Sequence, residues 1–284
     1  MTVLATTLLG EFGAEIVGFD CRNLIDPSTR EAILAALYRH QFLVFRDQSL
    51  SKQEQVDFSA TFGPLEQHVN KGNHGYDIPY FHMVTNIGED GRPLPPAQPG
   101  KVYNGTSTWH TDKSYMPVPA LATLLHAVEV PKVGGETLFA NLYAALEALD
   151  TERRRALEGR RAVHSWQQSL VNSRSRPATE EEIALAPPVV HPLIRPHPGT
   201  GRKALYIGLH ASHIEGMPEE DGRALLFELL DFATQPRFVA AHRWRVGDLM
   251  MWDNASLLHR GADYDRQAER RVLHRTVVRG SLPV

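Results

Sequence analysis

The chain has 284 residues, 42% of them hydrophobic and 22% charged, and its 30 basic and 33 acidic side chains leave a net charge of −3. That balance supplies a core and excludes disorder, and without a block of five or more like charges it gives no electrostatic footprint for nucleic acid. The single cysteine, Cys21, excludes a disulfide framework and cysteine-rich zinc sites and fits a reducing cytoplasm.

No apolar stretch approaches the roughly 18 residues of a membrane span. The N-terminus has no basic patch leading into a long apolar segment. The expectation is a cytoplasmic enzyme or binding protein with no membrane or nucleic-acid partner. A second copy of the chain is left open as a partner. Fourteen histidines against 30 Lys plus Arg make a metal site worth seeking.

In chain order, Ser28 and Thr29 predict a cap for a helix over Arg30–Gln41, with Ala32, Ile33, Ala36 and Leu37 as its apolar stripe. Phe42–Phe45 reads as a short buried strand. Ser51 and Glu54 form a capping box for a second helix that ends near Phe62-Gly63-Pro64. Residues 64–108 are rich in Gly, Pro, Asn and His, and a loop region this long is more often functional than idle. Strands are expected at Leu121–Val130, Thr137–Ala140, Ala204–Ile207, Gly247–Trp252 and Val272–Val278. Helices are expected at Leu142–Leu149, Glu152–Gly159 and Pro218–Gln235. Residues 169–188 are polar and read as a surface segment or lid. Short strands with few helices between them predict an antiparallel sandwich or jelly roll, mainly β with flanking α. There is no G-x-G-x-x-G, P-loop or G-x-S-x-G motif.

Trp109-His110-Thr111-Asp112 is the first chemical signal. On a strand, His110 and Asp112 would project from one face, a start for a divalent-metal site. Alone, H-x-D occurs often by chance. The second signal is Met250–Asn254 followed by His259. The third is Arg271-Val272-Leu273-His274-Arg275, where a strand would put both arginines on one face. Two cations on an apolar face need anions or solvent. Two histidines and one aspartate can occupy three facial positions of an octahedral metal and leave three open, as in non-haem Fe(II) oxygenases. A nearby arginine can hold a carboxylate bidentately.

With these motifs the chain resembles the taurine dioxygenase/2,4-dichlorophenoxyacetate dioxygenase family of Fe(II)- and 2-oxoglutarate-dependent enzymes. The resemblance runs from Ala14 to the C-terminus, through Trp109–Asp112, Gly134-Gly135-Glu136-Thr137, Gly247-Asp248, Trp252-Asp253-Asn254, His259 and the two arginines. Gly201-Arg202-Lys203, Ile207–Gly216 and His242-Arg243-Trp244 resemble the aryloxyalkanoate branch. The resemblance implies a double-stranded β-helix, or jelly roll, with helices packed on the outer sheet, as one domain over 1–284. It implies His110, Asp112 and His259 as iron ligands, with 2-oxoglutarate and O2 as co-substrates. Thr137 and Arg271 would hold the distal carboxylate of 2-oxoglutarate, and Arg275 would pair with the anionic group of the substrate. His68 falls where taurine-type members place a sulfonate-binding histidine, and Lys71 where the phenoxyacetate branch has a lysine. Taken alone, Lys71 reads as a solvated surface lysine. His210 and His213 lie in the segment that lines the substrate side in relatives, or else are core or interface histidines.

The implied function is hydroxylation of a small organic anion, an aryloxyalkanoate-like carboxylate, with release of succinate and CO2. The same chemistry on an alkylsulfonate, an alkyl sulfate or a natural-product carboxylate stays open, as does a non-catalytic jelly-roll binding protein. A halogenase would need Asp112 replaced by a small residue, and Asp112 is present.

Overall fold

A computed structural model describes residues 4–67, 78–95 and 105–283. His68 and Lys71 lie outside the described residues. The strands in chain order are β1 Thr6–Leu8, β2 Ala14–Ile16, β3 Phe42–Phe45, β4 His82–Thr85, β5 Ala120–Glu129, β6 Thr137–Asn141, β7 Arg161–His164 and β8 Val189–Pro192. They continue with β9 Ile194–Pro196, β10 Lys203–Leu205, β11 Ala211–Ile214, β12 Val239–His242, β13 Leu249–Asp253, β14 Leu257–Gly261 and β15 Val272–Arg279. The helices are α1 Pro27–His40, α2 Lys52–Ala60, α3 Leu142–Ala148, α4 Thr151–Leu157, α5 Trp166–Asn172, α6 Glu180–Leu185 and α7 Glu219–Ala233. The protein is mainly β with flanking helices.

A seven-stranded sheet runs β1-β2-β3-β13-β5-β15-β4, antiparallel except for the parallel pair β2/β3. Its central strands bury both faces, and their two-residue period sorts the side chains. Leu43, Phe45, Leu124 and Met251 pack under Ile33 and Leu37 of α1 and Phe58 of α2. Phe42, Val44, Leu125, Met250, Trp252 and Leu273 face the other way. There they meet Phe139 and Leu257 of a three-stranded sheet ordered β12-β6-β14. The rings of Phe42 and Phe139 stack at 4.8 Å between the sheets. Such a pair contributes about 0.5–1.5 kcal/mol beyond its buried area. Of the residues singled out in the sequence, His259 lies on β14 of the three-stranded sheet, and His110 and Asp112 lie on the segment that leads into β5.

Two expectations are corrected. The first helix begins at Pro27, with Asp26 as its cap: Asp26 Oδ1 accepts from Thr29 N at 2.8 Å, and Ser28 and Thr29 lie inside the first turn. Proline suits that position because the first-turn N–H has no helical partner to lose. Residues 169–188, expected at the surface, are largely exposed there and hold the end of α5 and all of α6. Thr179 and Glu182 close a capping box there, and Glu182 takes a 2.7 Å bond from Arg176. That box was readable in the sequence but was masked by the polar composition. Finally, Arg271 lies one residue before β15, and the β5/β15 register slips between Val272 and Leu273. The two arginines therefore do not share a regular strand face. The capping box of Ser51 and Glu54 forms as expected. Among the described residues no helix is long and apolar enough to cross a membrane.

Burial also sets a pH dependence. His164 is fully buried, and burial pulls its pKa well below the usual histidine value. Below about pH 6.5 the unfolded chain takes up a proton that the native state refuses, so stability rises with pH and falls on acidification. For this one histidine the loss between pH 6.5 and 5.5 is about 1 kcal/mol, and the slope approaches about 1.4 kcal/mol per pH unit only below that interval. The melting temperature is expected to drop by about 2–4 °C between pH 6.5 and 5.5. A melting curve that is flat or rises over that interval contradicts this account.

Candidate metal centre

His110 and His259 meet across a short antiparallel bridge. His110 N donates to His259 O at 3.1 Å, and His259 N donates to His110 O at 2.8 Å. His259 belongs to β14, whereas the segment carrying His110 and Asp112 forms no strand beyond that bridge. Strand alternation therefore does not aim Asp112, contrary to the expectation, and Asn254 does so instead. Its Oδ1 accepts from Asp112 N at 3.1 Å, and its backbone O accepts from Thr111 Oγ1 at 2.6 Å. Its Nδ2 donates to Thr123 Oγ1 at 3.0 Å, and that hydroxyl donates to Asp112 Oδ2 at 2.6 Å. One buried asparagine just past β13 thus fixes both the backbone and the carboxylate of the turn.

The ligand atoms of His110, Asp112 and His259 all lie within 4.8 Å of one another, and all three residues are buried. The Nε2 atoms of His110 and His259 stand 3.8 and 3.7 Å from the Asp112 oxygens. His110 Nδ1 lies 2.8 Å from Thr108 O. A carbonyl only accepts, so Nδ1 carries the proton and Nε2 keeps its lone pair for a metal. Burial lowers the pKa of both imidazoles, leaving them neutral as ligation requires. Burial would raise the Asp112 carboxyl, but the Arg275 guanidinium, helped by the Thr123 hydroxyl bond, holds Asp112 well below the usual carboxylate range. Two neutral imidazoles and a carboxylate, preset at chelating distance, fit a divalent metal of the first transition row.

Arg275 Nη2 donates to Asp112 Oδ1 at 2.5 Å, so the second arginine stands against the ligand carboxylate. Arg271 is buried elsewhere. Its Nε donates to Gly135 O at 3.2 Å, and no carboxylate pairs with it among the described residues. Burial lowers its guanidinium to about 10. Gly135 has φ +72°, and a Cβ there would come within 2.9 Å of Pro131 and 3.5 Å of Arg271 Cδ. Thr137, on β6, accepts from Trp244 Nε1 at 3.0 Å. Trp244 packs edge-on against His242 at 4.8 Å, and His242 Nε2 lies 3.1 Å from Asp248 Oδ2.

On the other side, His210 is buried 6.3 Å from the His110 ring and 4.8 Å from the Tyr115 ring, with Nδ1 3.2 Å from Ser114 Oγ. His213 on β11 sits 3.1 Å from Ser212 Oγ, and no contact joins it to the three ligands. Lys113 is also buried, and burial brings its ammonium down to about 8. Sequence reasoning assigned no role to Asn254, Thr123, Trp244 or Lys113. Thr123 had a signal, a hydroxyl inside the apolar run Leu121–Val130.

Gly208 closes the centre from behind. Its φ is +123°, and a Cβ there would stand 2.8 Å from Leu258 Cδ2 and 3.4 Å from His110 Cα. Gly208→Ala is expected to destabilise by about 1–3 kcal/mol and to weaken divalent-metal binding by displacing His110. Thermal melts and an Fe(II) titration check both effects, and unchanged values in each contradict this packing role.

Residues 5–277 match the family model described as taurine catabolism dioxygenase TauD, TfdA family. The chain is 39% identical over 282 residues to the alpha-ketoglutarate-dependent 2,4-dichlorophenoxyacetate dioxygenase of Cupriavidus pinatubonensis, covering 98% of each. It is 35% identical to the (S)-phenoxypropionate/alpha-ketoglutarate-dioxygenase of Sphingobium herbicidovorans, covering 93% of this chain and 90% of that protein. The crystal structure of AAD-2 in complex with Mn(II) and N-oxalylglycine superposes with a TM-score of 0.87 at 35% identity, covering 98% of this chain and 99% of that one.

Proposed function

This chain belongs to the TauD, TfdA family of dioxygenases, and from that premise we propose that it hydroxylates a small organic anion, an aryloxyalkanoate-like carboxylate. It is a 2-oxoglutarate-dependent non-haem iron dioxygenase, an oxidoreductase. The observation that carries the reading is the buried His110–Asp112–His259 cluster, with its neutral imidazoles and ionised carboxylate. When bound there, Fe(II) with 2-oxoglutarate and O2 supplies the oxidising power that puts a hydroxyl on a substrate carbon, as 2-oxoglutarate leaves as succinate and CO2.

The chain's own residues hold, orient and exclude. His110, Asp112 and His259 are the metal ligands, and Thr123 and Asn254 fix the Asp112 carboxylate. Arg271 and Thr137 take the far carboxylate of 2-oxoglutarate. Trp244 supports this role: its N–H occupies a lone pair of the Thr137 hydroxyl, which leaves that hydroxyl's own proton for an incoming oxygen. Arg275, beside Asp112, pairs with the anionic group of the substrate, and His210, 6.3 Å from the His110 ring, is a further substrate contact. His68, Lys71 and His213 are assigned to the substrate as well. Burial of the ligand residues keeps the centre dry and strengthens each of these interactions.

We read the two facing sheets as a double-stranded β-helix and residues 1–284 as one catalytic unit, with 64–108 and 169–188 as its cover. The single thiol supports work in a reducing cytoplasm.

The test is succinate release with phenoxyacetate, 2-phenoxypropionate, taurine and a medium-chain alkyl sulfate, side by side. The two phenoxy acids are expected to stimulate it most. If only the sulfur anions do so, the carboxylate assignment falls and the enzyme class stands. If 2-oxoglutarate is not consumed with any of them, the proposed substrate class falls.

A further inference from the structure

We propose that Lys113 is a second cation on the substrate side of the metal centre, receiving the substrate's carboxylate together with Arg275. The inference rests on the dioxygenase reading above and assigns a residue that sets its preference for anions.

Lys113 directly follows the ligand Asp112, and its φ is +61°. A lysine rarely adopts that left-handed conformation, which costs about 1–2 kcal/mol for a residue with a Cβ. The neighbouring structure therefore holds it there, and its side chain is buried at 3% exposure. Lysine is almost never so buried unless it is paired. Among the described residues Nζ donates to one neutral acceptor, Gln67 O, at 2.5 Å. An ammonium has three donors and no acceptor, so among the described residues two donors are left for other partners.

No carboxylate among the described residues supplies the missing charge at ion-pair distance. Glu66, the nearest in effect, pairs with Arg279 at 3.3 Å. Asp112 is committed to Arg275 and Thr123. A dry ammonium with spare donors is costly until an anion reaches it.

The surroundings say what kind of anion. Lys113 Nζ lies 5.9 Å from the centroid of the Tyr115 ring, which packs 5.0 Å from Trp166 and 4.8 Å from His210. His210 in turn lies 6.3 Å from the ligand His110. Cation and aromatic wall are thus continuous with the metal centre. A molecule with a carboxylate at one end and a flat apolar body at the other matches that wall. One guanidinium already bonded to Asp112 leaves carboxylate lone pairs that the ammonium would fill.

The test is binding without turnover. Protein loaded with Fe(II) and 2-oxoglutarate under anaerobic conditions is titrated calorimetrically with phenoxyacetate and, separately, with phenoxyacetamide. Lys113→Gln keeps a donor for Gln67 O and removes the charge, while Lys113→Arg keeps the charge. Lys113→Gln is expected to weaken phenoxyacetate at least tenfold while leaving phenoxyacetamide and 2-oxoglutarate affinities within about twofold. Lys113→Arg should recover most of the loss. Circular dichroism and melting curves confirm that the variants fold, and Lys113→Met substitutes if the glutamine variant does not. Equal losses for the charged and neutral ligands would make Lys113 a structural anchor and overturn the proposal. Unchanged phenoxyacetate affinity would overturn it as well. If the wild type binds neither phenoxyacetate nor the other anions of the panel, the underlying functional reading fails first, which the wild-type titration alone reveals.

Discussion

Asp112→Ala is expected to reduce 2-oxoglutarate turnover by at least about 100-fold, because even outer partners of metal ligands are worth 10–100-fold. The carboxylate does three things at once. It is the only anion in the cluster of His110, Asp112 and His259. It accepts from Thr123 at 2.6 Å, and it accepts from Arg275 at 2.5 Å. Removing it takes away a metal ligand and strands the Arg275 guanidinium, whose side chain is 14% exposed. Breaking one side of a buried pair costs about 3–5 kcal/mol, so alanine should also lower the melting temperature. Asp112→Asn separates the two effects, since it keeps the shape and an acceptor for Arg275 and loses the charge. It should melt closer to the wild type and remain inactive. An Asp112→Ala protein that consumes 2-oxoglutarate at near the wild-type rate would show the ligand assignment to be wrong.

Arg271→Ala is expected to raise the KM for 2-oxoglutarate by at least about tenfold. Each charged hydrogen bond to the co-substrate contributes about 1.5–3 kcal/mol in a dry site, and about 1.4 kcal/mol is one decade. Among the described residues only Nε of this arginine is bonded, to Gly135 O, which leaves the outer nitrogens to take a carboxylate in parallel. A lysine could not reproduce that fork, and Arg271→Lys should recover little. Arg275→Ala is the counterpart and should act on the KM of the primary substrate far more than on that of 2-oxoglutarate. A raised KM for primary substrate with an unchanged one for 2-oxoglutarate in the Arg271 variant would exchange the two roles.

The elements were legible where one local rule decided them. The continuous apolar runs Phe42–Phe45 and Leu249–Trp252 mark strands buried on both faces, and the Ser51/Glu54 box marks a helix start. The first helix was misplaced by a turn because Asp26, Ser28 and Thr29 all suit a cap, and only the observed Asp26–Thr29 bond separates them. The ligand residues were readable from types and spacing, but their geometry was not. His110 and Asp112 co-face through Asn254, 142 residues away in sequence, rather than through strand alternation. The support given by Trp244 to Thr137 bridges 107 residues and leaves no local pattern. Lys113 was hidden for a different reason. A lysine beside a ligand looks solvated in one dimension, and its burial depends on a left-handed turn that only the packed chain imposes.

The central claim is that His110, Asp112 and His259 hold an iron on which 2-oxoglutarate chelates. It is tested most directly by visible absorption of the anaerobic protein as Fe(II) and then 2-oxoglutarate are added. A weak, broad metal-to-ligand charge-transfer band that needs both additions, and that disappears when His110 and His259 are replaced by alanine, is the predicted result. A wild-type protein that shows no band, or a band that survives loss of both histidines, would contradict the claim.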